Sequence, residues 1–313
     1  MEAGTQTAGA APGARALGVR RRRWGEELIR AALFLAAAIS VLTTVLIVIA
    51  LLKESIPFFN DVGLDFFTAE EWSPLFSDPQ FGVRSLIVGT FMITGIAILV
   101  AIPVGLGSAI YLSEYATPRV RRTVKPILEV LVGVPTIVFG FFALTFITPT
   151  ILQDVLSLNI QVFNALAAGL IMGFMIVPTI ASISEDAMSA VPQGLREGAY
   201  GLGGTKRQVS TRVVFPAAIS GIVASIVLGV SRGVGETMIV LIAAGLTPNN
   251  SLNPVEPHAT ITAFMGATAK GDNPAGTIGY QSIFALGLTL FVLTLIMNMI
   301  AIRFVRRYRQ VYE

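Results

Sequence analysis

The sequence predicts an all-α integral membrane protein with six transmembrane helices, and three observations carry that expectation. Of its 313 residues, 54% are hydrophobic and only 13% charged, about half the charged share of a soluble domain. Five uncharged runs, 31–52, 85–113, 130–153, 155–184 and 273–302, are each long enough to span a bilayer. A helix rising ~1.5 Å per residue needs roughly 20 apolar residues to cross a hydrocarbon core of ~30 Å. A sixth stretch, Val213 to Leu246, is interrupted only by Arg232 and Glu236. Finally, 18 of the 22 Lys and Arg residues fall before the first span, after spans two and four, and at the C-terminus. By the positive-inside rule these segments, and so both termini, are cytoplasmic.

Residues 1–27, rich in Ala and Gly without apolar periodicity, read as a disordered cytoplasmic tail. Residues 28–52 read as the first membrane anchor helix, because the apolar run after Arg20–Arg23 is too long for a signal peptide and lacks a small-residue cleavage site. Residues 53–84 form an extracytoplasmic segment in which Pro57, Pro74 and Pro79 argue against a long helix. Its paired Phe residues and Trp72 read as an aromatic belt at the membrane surface. Residues 85–302 hold the other spans, expected at 85–113, 126–152, 160–184, 213–246 and 278–302, and 303–313 form a cytoplasmic tail. The spacings Gly169-x-x-x-Gly173 and Gly229-x-x-x-Gly233 permit close helix approach.

Several chemistries are excluded by composition. Without cysteine there is no disulfide, thiolate metal ligand or cysteine nucleophile. The single histidine, His258, is expected in a solvated external loop, so no metal or cofactor is expected. Gly204-Thr205-Lys206-Arg207 has neither the spacing nor the hydroxyl of a phosphate-binding loop, so this chain is not expected to hydrolyse ATP or to act as an enzyme.

Residues 188–215 read as a structured cytoplasmic bracket of two short helices. Pro192 suits the start of the first helix, and Gly201, Gly203 and Gly204 can take the positive-φ conformation that ends it. Thr205 and Gln208 are spaced as a capping box for the second helix, which runs into span five.

Within this bracket stand Glu197-Gly198-Ala199, then three residues, Gly203, nine residues and Val213-x-Phe215-Pro216. The pattern resembles the E-A-A, three residues, G, nine residues, I-x-L-P motif of ATP-binding-cassette importer permeases, with small or apolar replacements at Gly198, Val213 and Phe215. The resemblance implies a type I importer permease fold with a cytoplasmic coupling helix. Glu197, Gly198, Ala199, Gly203 and Pro216 would then serve coupling to a separate ATPase. Gly235-Glu236-Thr237-Met238, VGVPTIVFGFFAL at 132–144, and FFTAEEWSPLF followed by FGVRSL further resemble the PstC family of phosphate-importer permeases, over residues 58–302. Met238 favours that family over the homologous PstA. The resemblance implies a heterodimer with PstA, two copies of the ATPase PstB, the extracytoplasmic phosphate-binding protein PstS and a bacterial plasma membrane. A sulfate or molybdate permease is the nearest alternative, and a secondary transporter would call for an inverted repeat.

Arg232 and Glu236, four residues apart, are expected on one face of the fifth span, about 24 Å along the helix from Pro216 and near the bilayer midplane. An unpaired charge there costs at least ~2.5–3.5 kcal/mol, so the two are expected to neutralise one another and to line the substrate pathway. In that role Arg232 would offer its guanidinium to phosphate oxygens, and Glu236 would accept a hydrogen bond from the phosphate hydroxyl.

Overall fold

The computed structural model describes residues 24–74, 79–269, 271 and 274–308. The N-terminal tail before Trp24, Lys270 and the end of the C-terminal tail lie outside these residues. The chain divides into two units, 1–49 and 50–313. The described part of the first is one run of helix α1 (Trp24–Val62), whose apolar side chains, Leu33 and Phe34 among them, are exposed. Helix α1 therefore begins inside the expected tail and runs ten residues past Leu52.

In the second unit, α1 continues through Pro57, against the expectation that this proline breaks it. An interior proline costs about 3 kcal/mol. Phe58, immediately after it, is fully buried edge-on against Phe66 and Phe81 at centroid distances of 5.6 and 5.1 Å. Burying a phenylalanine returns ~1.5–3 kcal/mol, and edge-on pairs add to that. Helix α2 (Asp65–Thr68) and a two-stranded hairpin, β1 (Trp72–Ser73) antiparallel to β2 (Gln80–Phe81), complete the segment. Phe58, Phe66, Trp72 and Phe81 form a buried cluster with Phe264, so these aromatics make a small core and not a surface belt.

Helix α3 (Arg84–Ile110) continues as a π-turn, Tyr111–Tyr115. Arg84 opens it at the exposed surface and pairs with Glu70 at 3.4 Å. Helix α4 (Pro118–Val132) starts at the cap Thr117 with Pro118 in its first turn and buries none of its residues. The expected third span, 126–152, is thus split: α5 (Thr136–Phe142) begins after Gly133-Val134-Pro135 and continues as a π-helix, Ala143–Val155. Pro135 biases Val134 away from helical ψ, which separates the amphipathic α4 from the span.

Helix α6 (Ala165–Ser189) is capped by Asn164, whose side chain accepts from Ala167 N at 2.7 Å. Its most apolar window is 67% buried, against 17% for the last helix, so α6 is the central element. A Cβ added at Gly169 would stand 2.7 Å from Ile96, and one at Gly229 2.9 Å from Ile176. These glycines let α3 and the fifth span close directly on α6, where Ser184 and Ser225 share a buried hydrogen bond of 2.7 Å.

After α6 come α7 (Gln193–Gly201), α8 (Lys206–Val209), a π-turn (Ser210–Val214) and α9 (Phe215–Ala217). The chain bends by 70° at Ala218 into α10 (Ile219–Val234). The expected single helix over 213–246 is therefore in pieces, with a second break at Gly235 before the π-turn Val240–Ala244. Helices α11 (Ile261–Thr268) and α12 (Ile278–Tyr308) follow, the latter carrying on past the expected end at 302. Five described helices are long and apolar enough to cross a membrane, six if the bent pair is one span.

Candidate functional site

Two loci matter, one at the bracket end of the bundle and one within its apolar middle. At the bracket, Gly203 takes φ +81° and lets the chain turn back after α7, with its N–H on Tyr200 O at 2.9 Å. Gly201 and Gly204 keep ordinary φ. A Cβ at Gly204 would meet Ala199 O at 2.8 Å. Thr205 and Gln208 form the reciprocal capping box. The turn presents Glu197, Gly198, Gly203 and Leu202 to the surface, Leu202 being 91% exposed. Ala199 packs partly inward and Pro216 is exposed just before the 70° bend.

Buried charges tie this bracket to the bundle. The Arg196 guanidinium donates to the carbonyls of Met188 (2.8 Å) and Val191 and pairs with Glu114 at 3.2 Å, both side chains nearly sealed from solvent. One turn up α6, the fully buried Glu185 carboxylate receives Arg121 and Lys125 from α4, and Lys125 also reaches Asp186. Burial works to lower the Lys125 pKa, but the hydrogen bonds to Asp186 and Glu185 and their charges outweigh it and raise it above 10.5. The connection 118–132 is thereby fastened to the central helix by charge. Sequence reading used Arg196 only as one of the positive charges that set orientation and passed over Glu185, although Glu185 directly follows the uncharged run 155–184.

In the apolar middle, α10 ends at Val234 and Gly235 caps it. Glu236 is buried, and its Oε1 accepts from the backbone N–H groups of Met238 (2.9 Å) and Ile239 (3.2 Å). Its own carbonyl accepts from the Thr262 hydroxyl on α11. Glu236 thus caps the start of the next helical segment, so it does not share a helix face with Arg232 as expected. Among the described residues the two form no ion pair. The physical reason is local: a carboxylate acceptor answers the N–H groups that a break leaves unpaired. Arg232, half-buried, donates through Nη1 to Thr179 Oγ1 on α6 at 3.1 Å. Its charge has a neutral hydroxyl for a partner and, among the described residues, no carboxylate.

The loop 245–260 folds back over the far ends of these helices. The carbonyls of Pro254 and Glu256 accept from Leu166 N and Ala165 N at the start of α6. His258 is fully buried there, its ring nitrogens 3.1 Å from Glu256 O and 2.8 Å from Ser251 O. It is a packing residue of the loop and not the solvated one expected. Hydrogen bonds from Asn249 and Asn253 hold the partly exposed Glu256 carboxylate below its usual pKa of 4.5.

A membrane bundle with a capped two-helix bracket at one end and a charged helix break in its middle has known counterparts. Residues 101–310 match the family of binding-protein-dependent transport system inner membrane components. The chain belongs to that family. As a permease it is 35% identical to the phosphate transport system permease protein PstC of Mesorhizobium japonicum, over 85% of this chain and 86% of that one. It is 33% identical to the probable ABC transporter permease protein YqgH of Bacillus subtilis, over 92% and 91%. Among solved structures, a bacterial alginate ABC transporter in complex with its periplasmic protein aligns over 93% of this permease and 100% of that chain, with a TM-score of 0.60 and 18% identity. The inward-facing MetNI methionine transporter aligns over 73% and 95%, with a TM-score of 0.53 and 20% identity. The fold is the type I importer permease fold.

The permease fold gathers Glu197, Gly198, Ala199 and Gly203 on one short helix and its turn, and puts Arg232 and Glu236 at one break with different partners. Thr179 escaped sequence reading. Its only signal was Val177-Pro178-Thr179, a proline and a hydroxyl inside an apolar span.

Proposed function

We propose that this chain is the permease subunit of an ATP-driven importer of inorganic phosphate, with its basic end in the cytoplasm of a bacterial cell. The observation that carries the reading is Arg232. Among the described residues its guanidinium has no carboxylate partner and leans on a single hydroxyl. An intramembrane cation costs at least ~2.5–3.5 kcal/mol, and one charge-assisted hydrogen bond is worth about 1.5–3 kcal/mol, so the site is close to balance and open to an anion. Glu236 favours phosphate over sulfate or molybdate. Its Oε1 is committed to the backbone, whereas Oε2 accepts no hydrogen bond among the described residues. A phosphate that keeps a proton can donate to that oxygen, and fully deprotonated sulfate cannot.

The exposed turn of α7 and Leu202 are the contact with a separate ATPase, two copies of PstB in the complete importer, which would carry the hydrolysis this chain does not perform. PstA supplies the other half of the pathway and PstS delivers phosphate at the opposite face. Residues 85–302, with the bracket at 188–215, constitute the transport domain. Uptake of labelled phosphate by vesicles holding the complete importer tests the reading. Arg232→Gln loses uptake at an unchanged yield of assembled complex. Near-normal uptake, or a loss only in proportion to lost complex, would assign Arg232 to packing.

A further inference from the structure

We infer that Thr179 and Thr94 complete an oxyanion site around Arg232, and that Thr179 sets how readily the guanidinium is released to the passing anion. The inference rests on the pathway reading above and names further residues of the same site. It begins from a difference among the helical threonines. Thr90, Thr145 and Thr289 each donate the hydroxyl proton to the carbonyl four residues back, at 2.7 to 2.8 Å. This is the usual resting bond of a helical threonine. Thr179 has no such bond: its Oγ1 accepts from Arg232, and its proton has no acceptor among the described residues. Thr94, one turn after Thr90 on α3, is buried at 4% exposure with Oγ1 entirely unpartnered.

Thr94 and Thr179 stand beside consecutive residues of α10. Thr179 touches Arg232, and a Cβ at Gly233 would be 3.1 Å from the Thr94 methyl and 3.7 Å from its hydroxyl. Glycine at 233 keeps that hydroxyl close to the backbone. Two hydroxyl protons beside consecutive residues of α10, and the unused N–H groups of one guanidinium, thus have no protein acceptor among the described residues. A buried donor such as the Thr94 hydroxyl is costly when left without an acceptor, and a tetrahedral oxyanion supplies enough lone pairs for it and for the half-buried donors of Thr179 and Arg232. The neutral partner also explains release. A carboxylate at 179 would hold the guanidinium by charge and compete with the substrate, whereas a hydroxyl yields its place as acceptor and then donates to the same anion. Phosphate arriving at Arg232 thus exchanges one bond to a neutral acceptor for several to an anion without unlocking an ion pair.

The test uses the complete importer in proteoliposomes with its binding protein and labelled phosphate, each rate taken per assembled complex. Thr179→Val lowers the maximal uptake rate by about tenfold or more, the worth of a hydrogen bond to a charged group. It leaves the concentration of loaded binding protein for half-maximal uptake within about twofold, because that protein docks elsewhere. Thr179→Ser keeps the donor and restores uptake, and Thr94→Val lowers the maximal rate in the same sense. Uptake within twofold of wild type in Thr179→Val would overturn the inference, as would equal losses in the Val and Ser variants, which mark a packing role. Arg232→Gln is run alongside. If it transports normally, the pathway reading fails as well; if it is inactive while Thr179→Val is normal, only the threonine site fails.

Discussion

Replacing Arg196 by methionine tests whether the bracket is held by buried charge or by apolar packing alone. Arg196 makes three contacts, to Met188 O, Val191 O and the Glu114 carboxylate. The methionine fills most of the space and makes none of them. Among the described residues Glu114 then keeps only the Ser113 hydroxyl, at 3.0 Å, for a side chain that is 5% exposed in the wild type. Removing one partner of a buried pair costs about 3–5 kcal/mol, mostly from the charge left behind. At 1.4 kcal/mol per factor of ten, even the lower figure raises the open population of α7 by about 100-fold. Hydrogen exchange of the amides in 193–204 reads this directly, and Glu114→Gln in the same chain should recover part of the loss, because no bare carboxylate then remains. Exchange in Arg196→Met within about threefold of wild type, or no recovery in the double variant, would refute the idea that this pair fastens the bracket.

Other consequences are open to measurement. Gly203→Val forces a β-branched residue to φ +81°, a strain of roughly 1–2 kcal/mol, and should detach or uncouple the ATPase while the chain stays inserted; unchanged co-purification and substrate-stimulated hydrolysis would contradict the coupling role. A cysteine at Ser251 should react with an impermeant thiol reagent from outside intact cells, and one at Lys206 only after permeabilisation; labelling at position 206 in intact cells would reverse the orientation. Glu256 has a depressed pKa, so its contribution to stability is present above pH 4.5 and lost as pH falls through the lower folded value. The melting temperature of the wild type should accordingly fall more steeply in that acid range than that of Glu256→Ala; parallel curves would remove Glu256 from the loop's support.

The sequence by itself determined the membrane class, the apolar runs, the bracket and its capping chemistry. Each follows from local rules: twenty apolar residues span hydrocarbon, Thr205 and Gln208 are three apart, and Gly203 can turn where other residues cannot. Where helices break was only partly local. Pro57 looks like a stop and is not, because Phe58 is buried by Phe66 and Phe81 from later in the chain. The span over 213–246 looks continuous and breaks, because the Glu236 side chain caps the backbone two and three residues on while Thr262 takes its carbonyl. The same limit applied to partners. Spacing put Arg232 and Glu236 together, but a guanidinium takes whichever acceptor the packed helices bring within reach, and the close approach that Gly229 permits between α10 and α6 brings it Thr179. Residue types fixed which groups need partners, and for Arg232 tertiary packing decided which partner it found.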